Sequence, residues 1–188
     1  SKNINNFEVI VIDNHSFDDS SLMIKDKFPD VKLIQNCKNL GFSKAINQGI
    51  KLATGKYLCF LNPDTLIQND TFSKLTNYME SDSSIGCIGP KIINANGTLQ
   101  KSCKRSFPSP LVALPKLLGL DRLMPKNKFF GKYNLTYLNE DEVHFVDAIS
   151  GSFMLLRNKV VKKIGFFDEK FFMFGEDLDY CFRIKESG

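Results

Sequence analysis

The 188-residue sequence has no apolar run long enough to cross a bilayer, no C-x-x-C pair and no internal repeat. Because it also has no signal peptide, we expect a cytoplasmic protein without a transmembrane segment, and peripheral contact with the inner face of a membrane stays open. The five cysteines are odd in number and widely spaced, which favours a reducing compartment and no zinc site. The net charge of +4 permits an anionic substrate and gives no reason to expect nucleic acid as a partner.

Short apolar runs alternate with helical patterns through the first half of the chain. Buried strands are predicted at 7–12, 31–34, 57–61 and 85–88, and helices at 18–28, 43–53 and 71–79. Ser43 is the expected cap of the second helix and Gly55 its stop. This alternation favours an α/β domain in which a mostly parallel sheet carries helices on its faces.

The second half of the chain is less regular. Asn96 and Gly97 predict a hairpin turn, and the proline-rich residues 102–142 predict an excursion from the sheet with one short helix. Further strands are expected at 143–148 and 153–156, and helices at 158–164 and from 176 onward.

Two surface features of the excursion each allow two interpretations. The apolar patch at 111–120, with basic residues nearby, is either a flap over the active site, which we favour, or a contact with a membrane that carries a lipid-linked acceptor. The basic cluster of Lys101, Lys104 and Arg105 either meets a diphosphate or a membrane surface or is a solvated face, and the solvated face is favoured.

Acidic side chains follow two predicted strands and begin the last helix. Asp13 and Asp64 lie at the carboxyl ends of strands, where open α/β sheets bind ligands. Asp64 after Pro63 suits a divalent cation that carries a diphosphate, although Asn-Pro-Asp is also an ordinary turn. Asp177 is a candidate general base, whereas an acidic residue at a helix start can also simply complement the helix dipole.

The loop that enters the second helix is a candidate anion site. Residues 39–43 (NLGFS) lead into a helix N-terminus, whose free backbone N–H groups suit a phosphate. The same pattern is also a common turn.

Four segments together resemble glycosyltransferase family 2, in its rhamnosyltransferase-like branch. They are 9–16 (VIVIDNHS), 39–49 (NLGFSKAINQG), 60–65 (FLNPDT), and 165–168 (GFFD) continued by 175–183 (GEDLDYCFR), with 151–154 (GSFM) also fitting. The resemblance implies a GT-A-type, Rossmann-like fold, with a mostly parallel sheet, helices on both faces and a small antiparallel part.

The same resemblance implies an inverting transfer of a sugar from UDP or dTDP, with dTDP-rhamnose as one pointer, to a glycan or lipid-linked acceptor in cell-surface polysaccharide synthesis. It makes Asp177 the catalytic base and Asp64 the ligand of Mg²⁺ or Mn²⁺. Asp13 would bind the pyrimidine base, and Asn62 would lie near the ribose. The implied nucleotide-sugar-binding residues are Asp13, Asn39, Gly41, Lys44, Ala45, Asn62, Asp64 and Glu176.

Three departures from the family pattern define the remaining expectations. Asn62 replaces an aspartate, the family's first strand would precede residue 1, and neither His15 nor His144 occupies the place of a histidine that the family carries later. We therefore expect residues 1–188 to be a single catalytic domain truncated at both ends, with weakened activity. The alternatives are a catalytically silent nucleotide- or carbohydrate-binding fragment and, less favoured because no Gly-rich triphosphate loop is present, a nucleotidyltransferase.

Overall fold

The computed structural model describes residues 6–188, which form alternating strands and helices followed by a mixed second half. The strands are β1 (Ile10–Asp13), β2 (Lys32–Gln35), β3 (Tyr57–Leu61), β4 (Cys87–Ile88), β5 (Lys104–Arg105), β6 (Ala148–Ile149) and β7 (Phe153–Arg157). The helices are α1 (Ser20–Lys27), α2 (Phe42–Leu52), α3 (Thr71–Ser81), α4 (Pro110–Leu117), α5 (Leu120–Leu123), α6 (Asn158–Ile164) and α7 (Glu176–Glu186), with a 3-10 turn at Lys101–Cys103.

The strands pair in three groups. β1 and β2 are parallel, β7 lies antiparallel between β3 and β4, and β5 pairs antiparallel with β6. β3 and β4 therefore run in the same direction on either side of β7. The predicted mixed α/β architecture is confirmed, and its antiparallel share is larger than expected because β7 is inserted between two strands that precede it in the chain.

The core lies on both faces of the β3–β7–β4 sheet. On one face, Phe60 meets Phe167 edge-on, and Phe167 stacks on Tyr180 with ring centroids 3.9 Å apart. On the other face, Met79 packs with Phe153 and their neighbours. All five residues of β7 are buried, and for the first four this is what the apolar run at 153–156 predicts.

Arg157 closes this core at the end of β7. Its guanidinium donates to the backbone carbonyls of Ile85 at 2.8 Å, of Asp82 at 3.2 Å, and of Met79. The buried charge is thus solvated by backbone dipoles of the segment between α3 and β4, which fixes that segment against the sheet.

Several predicted boundaries were wrong. The first strand covers Ile10–Asp13 rather than 7–12.

The strand predicted at 143–148 is confined to Ala148–Ile149. The excursion holds two helices, a 3-10 turn and strand β5 instead of one short helix. Strands of two residues carry no periodic signal, so the sequence could not indicate β5 or β6.

The ends of α2 also differ from the prediction. The helix begins at Phe42 with Gly41 as its N-cap, and Ser43 lies in the first turn, fully buried, without a side-chain cap. Its last residue is Leu52, before Gly55. The predicted apolar face is present, since Ala45 and Ile50 are buried. No helix among residues 6–188 has the length and apolarity needed to span a bilayer.

Candidate active site

Asp13 ends β1, and its carboxylate is held by the loop that follows. One oxygen accepts from the Ser16 backbone N–H at 2.8 Å, and the other accepts from the Ser21 hydroxyl. These hydrogen bonds, that of Ser21 first, hold the pKa of Asp13 below its ordinary value. Asp13 is therefore a fixed, ionised acceptor at the carboxyl end of its strand.

Asn14 joins this loop to the loop before α2. Its Nδ2 donates to Asn39 Oδ1 at 2.8 Å and to the Gly41 carbonyl at 3.2 Å. Its Oδ1 accepts from the Leu40 backbone N–H at 3.0 Å and from Asn36 Nδ2 at 3.1 Å. Asn14 is not among the site residues predicted from the sequence. Its position directly after Asp13, at the end of a strand, is the sequence feature that could have indicated it.

Gly41 lies close against residues 166–174, which we call the Phe-rich segment and which precede α7. Its φ is +86°, and a Cβ there would lie 2.7 Å from the Phe172 carbonyl oxygen. The next residue, Phe42, donates its backbone N–H to the same oxygen at 2.7 Å. Only glycine satisfies both the left-handed backbone and the close approach.

Replacing Gly41 by alanine is expected to lower the free energy of unfolding by about 2–4 kcal/mol, from backbone strain and from the clash with Phe172 together. Thermal or denaturant unfolding measures the loss. Gly97→Ala is the matched control, because Gly97 has φ +81° and no atom within 4 Å of an added Cβ. Equal losses in the two variants would show that the Phe172 contact contributes nothing.

The other predicted positions on α2 differ in exposure. Lys44 is exposed in the first turn, whereas Ala45 is buried. One turn later, the buried Asn47 donates to the Phe167 carbonyl at 3.0 Å and accepts from the Phe167 backbone N–H at 2.9 Å. The N-terminal half of α2 is thus bonded to the Phe-rich segment at two points.

Asn62 and Asp64 follow β3 in a turn. The Asn62 backbone N–H donates to the Ser152 carbonyl at 3.0 Å, and the Asn62 carbonyl accepts from Thr65 at 3.2 Å. Asp64 is exposed, and no hydrogen bond or ion pair within residues 6–188 engages its carboxylate. The described part of the chain brings no three His, Cys, Asp or Glu side chains together as a metal site.

The turn that contains Asn62 and Asp64 offers a carboxylate oxygen, which is a suitable ligand for a hard cation such as Mg²⁺. Mg²⁺ is commonly held by one or two carboxylates, with substrate phosphates and waters completing its shell. Asp64 supplies one such oxygen. Asn62 and Asp64 therefore suit a cation that arrives with a diphosphate rather than one held by protein alone.

Asp177 lies in the first turn of α7, and its carboxylate is held by Arg105 of β5. Its Oδ2 accepts from Arg105 Nη2 at 2.5 Å and from the Gly151 backbone N–H at 3.1 Å. The two side chains are only 14% and 11% exposed. Arg105 Nη2 also donates to the Ile149 carbonyl at 3.0 Å. The interpretation of Arg105 as part of a solvated face was wrong.

The turn at 150–152 joins the predicted base to the predicted metal motif. Gly151 bonds Asp177 through its N–H, and the next residue, Ser152, accepts from Asn62. A Cβ on Gly151 would lie 3.9 Å from the Phe42 ring, so the start of α2 borders the same turn. Asn14, next to Asp13, is thus bonded to Gly41 at the start of α2, and the turn that bonds Asp177 borders the same helix start.

Glu176 directly precedes Asp177, the predicted base, and its side chain is buried. It is 8% exposed, and its Oε2 has no hydrogen-bond partner among the described residues. Burial raises the pKa of Glu176 above its ordinary value. One turn later, Asp179 and Arg183 form an i, i+4 ion pair at 2.9 Å.

The chain is similar in sequence and in fold to known proteins. The sequence profile described as "Glycosyl transferase family 2" matches residues 1–165. The chain is 27% identical, over 96% of its own length and 61% of the relative's, to N-acetylglucosaminyl-diphospho-decaprenol L-rhamnosyltransferase of Mycobacterium tuberculosis. It is 28% identical, over 95% of its length and 53% of the relative's, to the low-salt glycan biosynthesis hexosyltransferase Agl10 of Haloferax volcanii. The chain thus spans somewhat more than half the length of these relatives.

Solved structures share the fold. A mannosyltransferase of Pyrobaculum calidifontis, in complex with GDP-Man and Mn²⁺, matches 94% of this chain and 42% of its own at a TM-score of 0.59 and 15% identity. TarS 1-349 of S. aureus in complex with UDP-GlcNAc matches 96% of this chain and 45% of its own at a TM-score of 0.60 and 20% identity.

Proposed function

The chain belongs to glycosyltransferase family 2, and we propose that it moves a sugar from a pyrimidine nucleoside diphosphate to an acceptor hydroxyl with inversion. The observation that carries the proposal is the turn at 150–152, which bonds both Asn62 and Asp177 and borders the start of α2, to which Asn14 beside Asp13 is also bonded. In this proposal residues 1–188 act as one catalytic domain.

The donor lies, in this proposal, across the loops that follow β1 and β2. Asp13 accepts a hydrogen bond from the pyrimidine base, which its ionised state suits. Asn39, Gly41 and Lys44 line the nucleotide, with Asn14 holding the two loops together. UDP and dTDP sugars are the proposed donors. Two relatives named as rhamnosyltransferases support dTDP-rhamnose among them.

Asp64 would hold Mg²⁺ or Mn²⁺, with Asn62 beside it. When bound, the cation would neutralise the negative charge that develops on the departing nucleoside diphosphate. The Mn²⁺ in two structures of similar fold supports this choice of metal.

Asp177 would take the proton from the acceptor hydroxyl as that oxygen attacks the anomeric carbon from the face opposite the leaving group. Its Oδ2 is occupied by Arg105 and Gly151, whereas no hydrogen bond of the described residues engages Oδ1. Arg105 thus fixes one oxygen and leaves the other for the acceptor. One displacement inverts the configuration, and no covalent intermediate with the protein is required.

The acceptor is proposed to be a glycan or a lipid-linked sugar, met at the cytoplasmic face of a membrane. One relative carries N-acetylglucosaminyl-diphospho-decaprenol in its name, which supports a lipid-linked acceptor.

A thermal melt with Mn²⁺ and UDP or dTDP tests the donor site. We expect a metal-dependent rise in melting temperature, because a ligand that binds only the folded state stabilises it. Asp64→Ala should abolish the metal-dependent part of that rise. Asp30→Ala, at another exposed carboxylate, is the control and should keep it. An unchanged rise in Asp64→Ala would exclude Asp64 as the metal ligand.

A further inference from the structure

Residues 110–129, which include helices α4 and α5, expose several large apolar side chains. Each of these keeps more than half of its surface exposed: Leu111, Leu114, Leu117, Leu118, Leu123, Met124 and Phe129. Leu111, Leu114 and Leu118 are spaced by three and four residues and so share one face of α4. Val112 and Pro115 on the same helix are buried. We call this set of seven exposed side chains the leucine face.

The favoured expectation from the sequence was a flap that covers these side chains against the active site. A flap of this kind would bury the leucine side chains, whereas the structure leaves them exposed. Exposed apolar patches of this kind are typical of surfaces that meet another molecule or a membrane.

Basic residues surround the leucine face. Lys116, Arg122, Lys126 and Lys128 lie within or beside its helices, and Asp121 is the single acidic residue between positions 104 and 138. Asp121 is 3% exposed, and its Oδ2 accepts from Lys116 Nζ at 2.9 Å. Residues 104–138 therefore present apolar side chains and positive charge, and their one carboxylate is buried.

We propose that the leucine face docks on an anionic lipid surface. Apolar side chains enter the boundary between headgroups and acyl chains, and the surrounding lysines and arginine meet the lipid phosphates. A second copy of this chain fits the face less well, because the two basic rims would repel each other.

Docking would bring the proposed catalytic base close to the lipid. Arg105 bonds Asp177, and α4 begins five residues later at Pro110. Five extended residues reach at most about 18 Å. This step rests on the proposed function, since it places the base near an acceptor carried by the membrane, whereas the docking itself does not depend on transfer activity.

Co-sedimentation of the purified chain with vesicles tests the proposal without any nucleotide. We expect binding to phosphatidylcholine vesicles that contain phosphatidylglycerol, weaker binding to pure phosphatidylcholine, and a loss with added salt. The double change Leu114→Asp and Leu118→Asp should lower the vesicle partition coefficient at least about tenfold. Leu22→Asp, at a leucine of α1 that is 64% exposed, is the control and should leave it unchanged.

Melting temperatures of both variants show whether they fold. Lys126→Gln with Lys128→Gln is a second test, which keeps the leucines and should weaken binding to anionic vesicles only. Absence of vesicle binding by the unaltered chain overturns the proposal, as does equal binding to both kinds of vesicle. Leucine-dependent dimers in light scattering, without vesicle binding, would assign the face to a second copy instead.

Discussion

Asp177→Asn should reduce sugar transfer by about 10²–10⁴-fold, the usual contribution of a positioned general base. Asparagine keeps the shape of the side chain and an oxygen for the Gly151 N–H, but it cannot take a proton from the acceptor. The melting-temperature rise with Mn²⁺ and nucleotide should persist, because Asp177 makes no proposed contact with the nucleotide. Single-turnover transfer measured beside that rise separates chemistry from donor binding.

Asp179→Asn is the matched control for this prediction. Asp179 lies on the same helix and pairs with Arg183 in an ordinary i, i+4 arrangement. Its removal should leave transfer within about twofold, since pairs of this exposure contribute little. Normal transfer by Asp177→Asn would remove Asp177 from the role of base, while loss of both transfer and the nucleotide-dependent rise would point to misfolding.

Arg105→Met should lower the free energy of unfolding by about 3 kcal/mol, at the low end of the range for broken buried ion pairs. The Asp177 carboxylate would remain largely buried with only the Gly151 N–H as its partner. At this chain length the melting temperature should fall by roughly 6–12 °C. Transfer should fall through kcat more than through the KM of the donor, because Arg105 orients the base.

Two further variants make this result specific. Lys74→Met breaks the exposed pair with Asp70 and should change stability by less than about 1 kcal/mol. Arg105→Lys restores the charge and should recover part of the transfer rate. If Arg105→Met and Lys74→Met lose equal stability, the pair with Asp177 does not stabilise the domain.

The sequence predicted the parts of the fold that carry a long local signal. β3 and β7 were predicted from their apolar runs at 57–61 and 153–156, and β7 lies in the centre of the sheet, whereas β3, expected to be central, lies at its edge. The helix at Asn158–Ile164 was predicted with its observed bounds. Ser43 shows where a local preference fails, because the close contact of Gly41 with Phe172 decides where α2 begins.

The sequence located the acidic positions of the site but not the side chains that hold them. Asp13, Asp64 and Asp177 follow strands or begin a helix, which is a local pattern. Arg105 lies 72 residues from Asp177 and on a strand of two residues. A partner so distant leaves no mark in local periodicity, so a buried ion pair and a solvated cluster look alike in the sequence.

The position of β7 has a consequence for how the chain is made. β7 completes the sheet with β3 and β4, although Arg157 and Tyr57 are 100 residues apart. During synthesis β3 and β4 must wait for β7, with Leu58 and Phe60 uncovered and their strand edges unpaired. Pairing across such long sequence separations is slow, and exposed edges favour aggregation. The nascent chain is therefore most exposed to aggregation before Arg157 has left the ribosome.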